Sequence, residues 1–182
     1  MTRYDPQKHH RRSIRLCGHN YARPGAYFVT ICTHERECLF GDVINGTMGL
    51  NEYGQIAHEE WVRSGEIRQE IRLDEFVVMP NHVHGIITIV GAGSPRPGSK
   101  GAETAPLRRP TLGQIVAYFK YQSTKRINEI RGAPGTPLWQ RNYYEHVVRN
   151  EDEWNEIRTY IIENPLRWEL DENHPNRLPR LE

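Results

Sequence analysis

Residues 77–90 read VVMPNHVHGIITIV. The run is rich in β-branched residues on both sides of Pro80-Asn81, as in two strands joined at a kink or turn. Two imidazoles, His82 and His84, break the apolar pattern. Side chains alternate across a strand, so His82 and His84 share one sheet face while Val83 takes the other. Two imidazoles side by side on one face are a natural pair of metal ligands, and a solvent-facing pair is the plainer alternative.

The flanking sequence supplies the rest of a sheet. Upstream, residues 26–33 (AYFVTICT) have strand composition, and Asn45-Gly46 inside residues 41–50 predicts a small hairpin. Residues 52–71 have a helical recurrence of Ile56, Trp61, Val62 and Ile67, and strands are expected at 76–80 and 83–90. Downstream, residues 91–110 are rich in Gly, Pro and Ala and read as a mobile loop. Thr111 with Gln114 forms a capping box that opens a helix with Leu112, Ile115, Val116, Phe119, Ile127 and Ile130 on its apolar stripe; Gly132 ends it. Residues 139–149 (WQRNYYEHVVR) become strand-like at their end. Asn150 caps a last helix with Glu151, Asp152 and Glu153 in its first turn, where negative charge suits the helix dipole, and Pro165 closes it. The order β-α-β-β-α-β-α predicts an α+β fold: a ferredoxin-like (split βαβ) antiparallel sheet with an additional C-terminal helix. Residues 1–20 form a basic arm, 21–168 one domain, and 169–182 a tail.

A chain of 182 residues suits one domain with a sizeable core. The formal net charge is +1, so basicity is local rather than global: KHHRRSIR near the N-terminus and the helix around Lys120 to Arg131. Three cysteines, Cys17, Cys32 and Cys38, make no C-x-x-C pair, which argues against a disulfide framework or a cysteine zinc site. No apolar run approaches the roughly 18 residues of a membrane span, and the N-terminus lacks a signal-peptide apolar region. A cytoplasmic setting follows as the expectation, and Asn45-Gly46-Thr47 then reads as a turn rather than a glycosylation site.

The histidine pair needs a third ligand and a reactive group. A zinc nucleobase deaminase requires His-x-Glu with Pro-Cys-x-x-Cys, and a helical zinc protease requires His-Glu-x-x-His; the sequence has neither. The last helix offers Tyr160 and Asn164, four residues apart on one helix face. Trp154, Ile157 and Ile161 form its apolar stripe, and Tyr160 lies about 60° from Ile157, at the stripe's edge. Tyr160 can lean over the sheet with its hydroxyl at a polar site, or simply pack with a wet tip. Asn164 can offer an amide oxygen, or simply cap the helix before Pro165.

MPNHVHGIITI, WQRNYYEHVVR and YIIENPLRW, in this order, resemble the single-tyrosine transposases of the HUH superfamily, and most of all the REP-associated tyrosine transposase-like branch. The resemblance runs from about residue 21 to 168. It implies that His82 and His84 are the metal-binding pair and Tyr160 the nucleophile. Asn164 stands where related insertion-sequence enzymes have a glutamine as third ligand, with Glu163 as its competitor one position away. It implies Mg²⁺ or Mn²⁺ as cofactor and hairpin-bearing single-stranded DNA as partner, cut and rejoined through a 5′-phosphotyrosine. Relatives include monomers and homodimers, so the tyrosine helix can serve its own chain or a partner.

Candidate DNA contacts are Arg11, Arg12 and Arg15 on the arm and Lys120, Lys125 and Arg126 on the helix, with Tyr118 and Tyr121 as aromatic platforms. The alternative for the charges is a solvated surface, and for Tyr118 packing against the sheet. Two other functions compete: a non-catalytic nucleic-acid-binding module of the same fold, and a metal-dependent phosphodiesterase without a covalent step.

Overall fold

Eight residues, GAYFVTIC, make the central strand β1 (Gly25–Cys32), buried along nearly its whole length because both of its faces are covered. The structure is a computed structural model that describes residues 23–90 and 110–175. The arm residues Arg11, Arg12 and Arg15 and most of the 91–110 loop lie outside the described residues. After β1 come a hairpin of β2 (Gly41–Ile44) and β3 (Thr47–Leu50), helix α1 (Glu52–Glu66), strands β4 (Ile71–Met79) and β5 (His82–Ile89), helix α2 (Leu112–Ile130), strand β6 (Tyr144–Val148) and helix α3 (Glu151–Glu163). The main sheet has the order β4-β5-β1-β6, antiparallel at every junction. This is the expected ferredoxin-like arrangement, in which β5 is inserted between the strands that α1 connects.

Each helix covers the face that its apolar stripe dictates. Trp61 of α1 and Ile115 and Phe119 of α2 join Val29, Ile31, Val83 and Ile87 in the main core. On the opposite face Ile161 of α3, with Trp154 and Ile157 partly buried beside it, covers Ala26, Phe28 and Ile86. Gly85 is required by close approach: a Cβ there would collide with the Trp61 ring. The β2–β3 hairpin turns at Asn45 and Gly46, with φ of 52° and 73°, so both central residues take the left-handed conformation that Asn-Gly tolerates best. Both caps read from sequence are formed. Thr111 and Gln114 make a reciprocal capping box, and Asn150 accepts from the Glu153 N–H.

Two boundaries differ from the sequence expectation. Helix α1 stops at Glu66 instead of running to 71, and β4 begins at Ile71 instead of 76. Ile71 is buried and pairs with Ile89, whereas Ile67 is exposed. A register shift between Leu73 and Phe76 breaks the two-residue alternation, which hides the start of the strand from a pattern search. At the far end, Pro165 ends the α-helix but not the coiling: a 3-10 segment, Pro165–Leu170, carries the chain back toward the sheet.

Candidate active site

Strand register builds the site. On the α3 face, Val77, His84, Thr30 and Tyr144 stand in one row across β4, β5, β1 and β6, and Met79, His82 and Cys32 stand in the next. His82 and His84 therefore lie beside each other, with ring centroids 4.4 Å apart, and both are buried. The turn Pro80-Asn81 that joins β4 to β5 sits at one edge of this pair.

Each imidazole is held through its Nδ1. Asn81 donates from Nδ2 to the carbonyls of Arg36 (3.1 Å) and Asn173 (2.7 Å). Those two bonds fix the amide, so Oδ1 faces His82 Nδ1 at 2.8 Å and accepts its N–H. His82 Nε2 is then the unprotonated nitrogen, and it is a buried atom without a hydrogen-bond partner. His84 is held likewise: Nδ1 lies 2.9 Å from Thr30 Oγ1, and with its N–H donated there Nε2 carries the lone pair. This is the tautomer that metal-ligating histidines adopt. Burial pushes the His82 pKa down to about 3, against an upward pull from the Asn164 side chain. His84 is also held well below the ordinary value, by burial and then by His82. Both rings are neutral and open to a cation.

Helix α3 brings the other two residues. Tyr160 Oη is 3.3 Å from His84 Nε2, at hydrogen-bond distance, and its ring meets Phe28 edge-on at 6.0 Å. Phe28 also stacks on His84 at 5.4 Å, so one aromatic side chain seats both groups. Burial, reinforced by the carboxylates of Asp171 and Glu172, pushes the Tyr160 pKa up to about 12. Asn164 is the C-cap of α3 and is 1% exposed; its Nδ2 donates to Asp171 Oδ2 at 3.0 Å. Its Oδ1 is a second buried atom without a partner. Glu163 pairs outward with Arg167. Two orphaned acceptors, His82 Nε2 and Asn164 Oδ1, beside a third lone pair on His84 fit a divalent cation, which would satisfy all three.

Two residues of the site carry no sequence signal. Asn81 reads as a turn residue only. Asp171 lies in the expected tail, yet it is 7% exposed, and its carboxylate and the two imidazoles bring ligand atoms within 4.8 Å of one another.

The basic helix is less available than its composition suggests. Lys120 Nζ is bonded to the carbonyls of Gln140, Arg141 and Asn142. Arg126 is held by Glu60 at 2.8 Å and Glu59 at 2.6 Å. Lys125 remains 57% exposed, with Glu129 at 4.0 Å. Arg68 covers the Tyr118 ring at 4.3 Å, whereas Tyr121 is exposed. His146 is hydrogen-bonded to Glu153 at 2.7 Å, within the fold.

The sheet order, with α1 and α2 on one face and α3 on the other, is a transposase-like fold. A solved REP-associated tyrosine transposase bound to a REP hairpin shares it, with a TM-score of 0.55 and 19% identity over 85% of this chain and 74% of that one. A candidate transposase from Deinococcus radiodurans R1 aligns over 83% of this chain and 98% of its own at 18% identity, with a TM-score of 0.42. No protein-family model matches the chain. The chain belongs to the family of an uncharacterized protein of Haemophilus influenzae Rd, with 41% identity over 185 residues that take in 94% of this chain and 97% of the relative. Among the described residues no helix is long and apolar enough to cross a membrane.

Proposed function

We propose that this protein cuts and rejoins single-stranded DNA next to hairpins, with Tyr160 as the nucleophile. The observation that carries the reading is the Tyr160 hydroxyl 3.3 Å from His84 Nε2, within one chain, at the edge of a buried two-histidine site. In the reaction the Tyr160 oxygen bonds to phosphorus and the bond from phosphorus to the 3′-oxygen breaks. A 5′-phosphotyrosine forms, the phenolic proton leaves the tyrosine, and the departing strand ends in a 3′-hydroxyl. Reversal of the same step with another 3′-hydroxyl rejoins DNA without nucleotide hydrolysis.

His82, His84 and Asn164 are the residues that would hold Mg²⁺ or Mn²⁺. When bound, the cation polarises the scissile phosphate and stabilises its developing charge. The chain's own contribution is positional and electrostatic. Asn81 and Thr30 keep both Nε2 lone pairs pointed into the site. Phe28 fixes the angle of the Tyr160 ring. The lone pair of His84 Nε2 serves either the Tyr160 hydroxyl or a cation, not both, so a filled site leaves that hydroxyl available to a phosphate. The raised pKa keeps the phenol protonated at neutral pH until then.

Lys125, exposed on α2, and the arm arginines Arg11, Arg12 and Arg15 are the proposed phosphate contacts; Lys120 and Arg126 would first have to leave their internal partners. Hairpin-bearing DNA is taken as substrate because the fold neighbour is a complex with a REP hairpin.

The test uses end-labelled, hairpin-flanked single-stranded DNA with Mn²⁺ and denaturing electrophoresis. Wild-type protein is expected to shift label onto the protein, and Tyr160→Phe to lose the adduct. Cleavage that survives in Tyr160→Phe without an adduct identifies a phosphodiesterase; binding without cleavage in both identifies a binding module.

A further inference from the structure

We propose that Asp171 is an anionic ligand of the cation held by His82 and His84. The segment from Asp171 to Asn173 is then part of the metal centre, and the centre selects Mn²⁺ over Mg²⁺. This inference rests on the metal-assisted reading above.

The first ground is that Asp171 is a buried carboxylate that no cationic side chain pairs among the described residues. Asp171 is 7% exposed. Its hydrogen bonds come from neutral donors: Asn164 Nδ2 on Oδ2 at 3.0 Å and the Asn173 N–H on Oδ1 at 2.6 Å. Among the described residues no lysine, arginine or histidine makes a salt bridge with it. A buried carboxylate without a cation is costly, and proteins ordinarily pair it or give it a metal. Among the described residues, the two imidazoles bring ligand atoms within 4.8 Å of its carboxylate.

The second ground is that the segment is fastened on both sides of Asp171. Before it, Trp168 lies against the His82 ring at 5.9 Å. After it, Arg36 Nη1 donates to the Glu172 carbonyl at 3.0 Å, and Asn81 Nδ2 donates to the Asn173 carbonyl at 2.7 Å. Asn81 thus uses its oxygen on His82 and its nitrogen on the segment that carries Asp171. One side chain sets the spacing between the histidine strand and the carboxylate.

The third ground is the combined donor set. Two imidazole nitrogens, one carboxylate and one amide oxygen make a mixed site. Mg²⁺ favours an all-oxygen octahedron with retained waters, whereas Mn²⁺ accepts imidazole more readily.

The test is a Mn²⁺ titration of chelator-treated full-length protein, followed by loss of the free Mn²⁺ resonance, with circular dichroism to confirm folding. The proteins are wild type, Asp171→Asn, Asp171→Ala and His82→Ala. Asp171→Asn keeps the size and removes the charge, and its one oxygen can accept from Asn164 or from the Asn173 N–H but not from both. Wild type is expected to bind one Mn²⁺ per chain, with Mg²⁺ competing at least tenfold more weakly. Asp171→Asn and Asp171→Ala are both expected to bind Mn²⁺ at least tenfold more weakly. If His82→Ala abolishes binding and Asp171→Asn binds within tenfold of wild type, Asp171 is not a ligand. This holds even if Asp171→Ala binds weakly, since Asp171 would then only orient Asn164. Equal affinity for Mg²⁺ and Mn²⁺ overturns the selectivity. Absence of Mn²⁺ binding to wild type overturns both this inference and the metal-assisted function.

Discussion

Asn81 shows how one residue can decide a site without resembling a site residue. Its amide meets three partners: the carbonyls of Arg36 and Asn173, and His82 Nδ1. Replacing it by alanine leaves His82 able to rotate and to take either tautomer, and leaves two carbonyls, the buried one of Asn173 among them, short of a donor. Asn81→Ala is expected to weaken Mn²⁺ binding about 10–100-fold, the usual loss when a histidine's outer partner is removed. Stability should fall by about 1–3 kcal/mol through the unsatisfied groups. Mn²⁺ titration and thermal melting of the same samples check both; unchanged affinity would mean that another contact holds the ring. The histidine pair itself was legible, because alternation along a strand is a local rule. The roles of Asn81 and Asp171 were not. Asn81 reaches Asn173 across 92 positions, and no spacing in the sequence announces such a contact.

At the scale of elements, the seating of α3 on the sheet places Tyr160. The irregularity between Leu73 and Phe76 turns Asp74 toward α3, where it accepts from Trp154 Nε1 at 2.8 Å and from Arg158 Nε and Nη2 at 2.9 and 2.6 Å. A β-bulge commonly re-aims a side chain in this way. The same irregularity displaced the expected start of β4, so the boundary missed in the sequence is the one that anchors the tyrosine helix. Asp74→Ala is expected to cost about 1–3 kcal/mol, since it strands a partly buried Trp N–H and frees a guanidinium. It should lower phosphotyrosine formation and weaken Mn²⁺ binding less than His82→Ala does, because His82 and His84 stand on β5 and only Asn164 rides on α3. A loss of metal binding as deep as that of His82→Ala would show that α3 and the metal site are not separable. Gly85 tests the other face: Gly85→Ala drives a methyl into the Trp61 ring, and a loss of about 2 kcal/mol or more by denaturant titration is expected from overpacking. Helix caps and the Asn-Gly hairpin were readable in advance, since each depends on a few adjacent residues. The sheet order was readable only through the β-α-β-β-α-β-α pattern.

For the molecule as a whole, the two buried neutral imidazoles couple folding to acid. His82 has its pKa lowered from 6.5 to about 3 by burial. Below pH 6.5 the unfolded chain takes up a proton that the folded chain refuses, so stability is fully present above 6.5 and is lost as pH falls toward 3. The slope approaches about 1.4 kcal/mol per pH unit for one such group. Between pH 7 and pH 5, His82 alone removes about 2 kcal/mol, and His84, shifted in the same direction, adds to the loss. A domain of ordinary stability, roughly 5–15 kcal/mol, would feel this as a large fraction of its total. The measurement is urea unfolding of chelator-treated protein at both pH values, with His82→Asn as the comparison. Wild type is expected to lose at least that amount, and His82→Asn to lose distinctly less. A cation on the Nε2 atoms opposes the same protonation, so saturating Mn²⁺ at pH 7 should raise the melting temperature, and acid should erase the gain as protons displace the metal. If stability is flat from pH 7 to pH 5, the imidazoles are hydrated or already charged. The sheet face beneath α3 would then not be the closed, preorganised site that this chemistry needs.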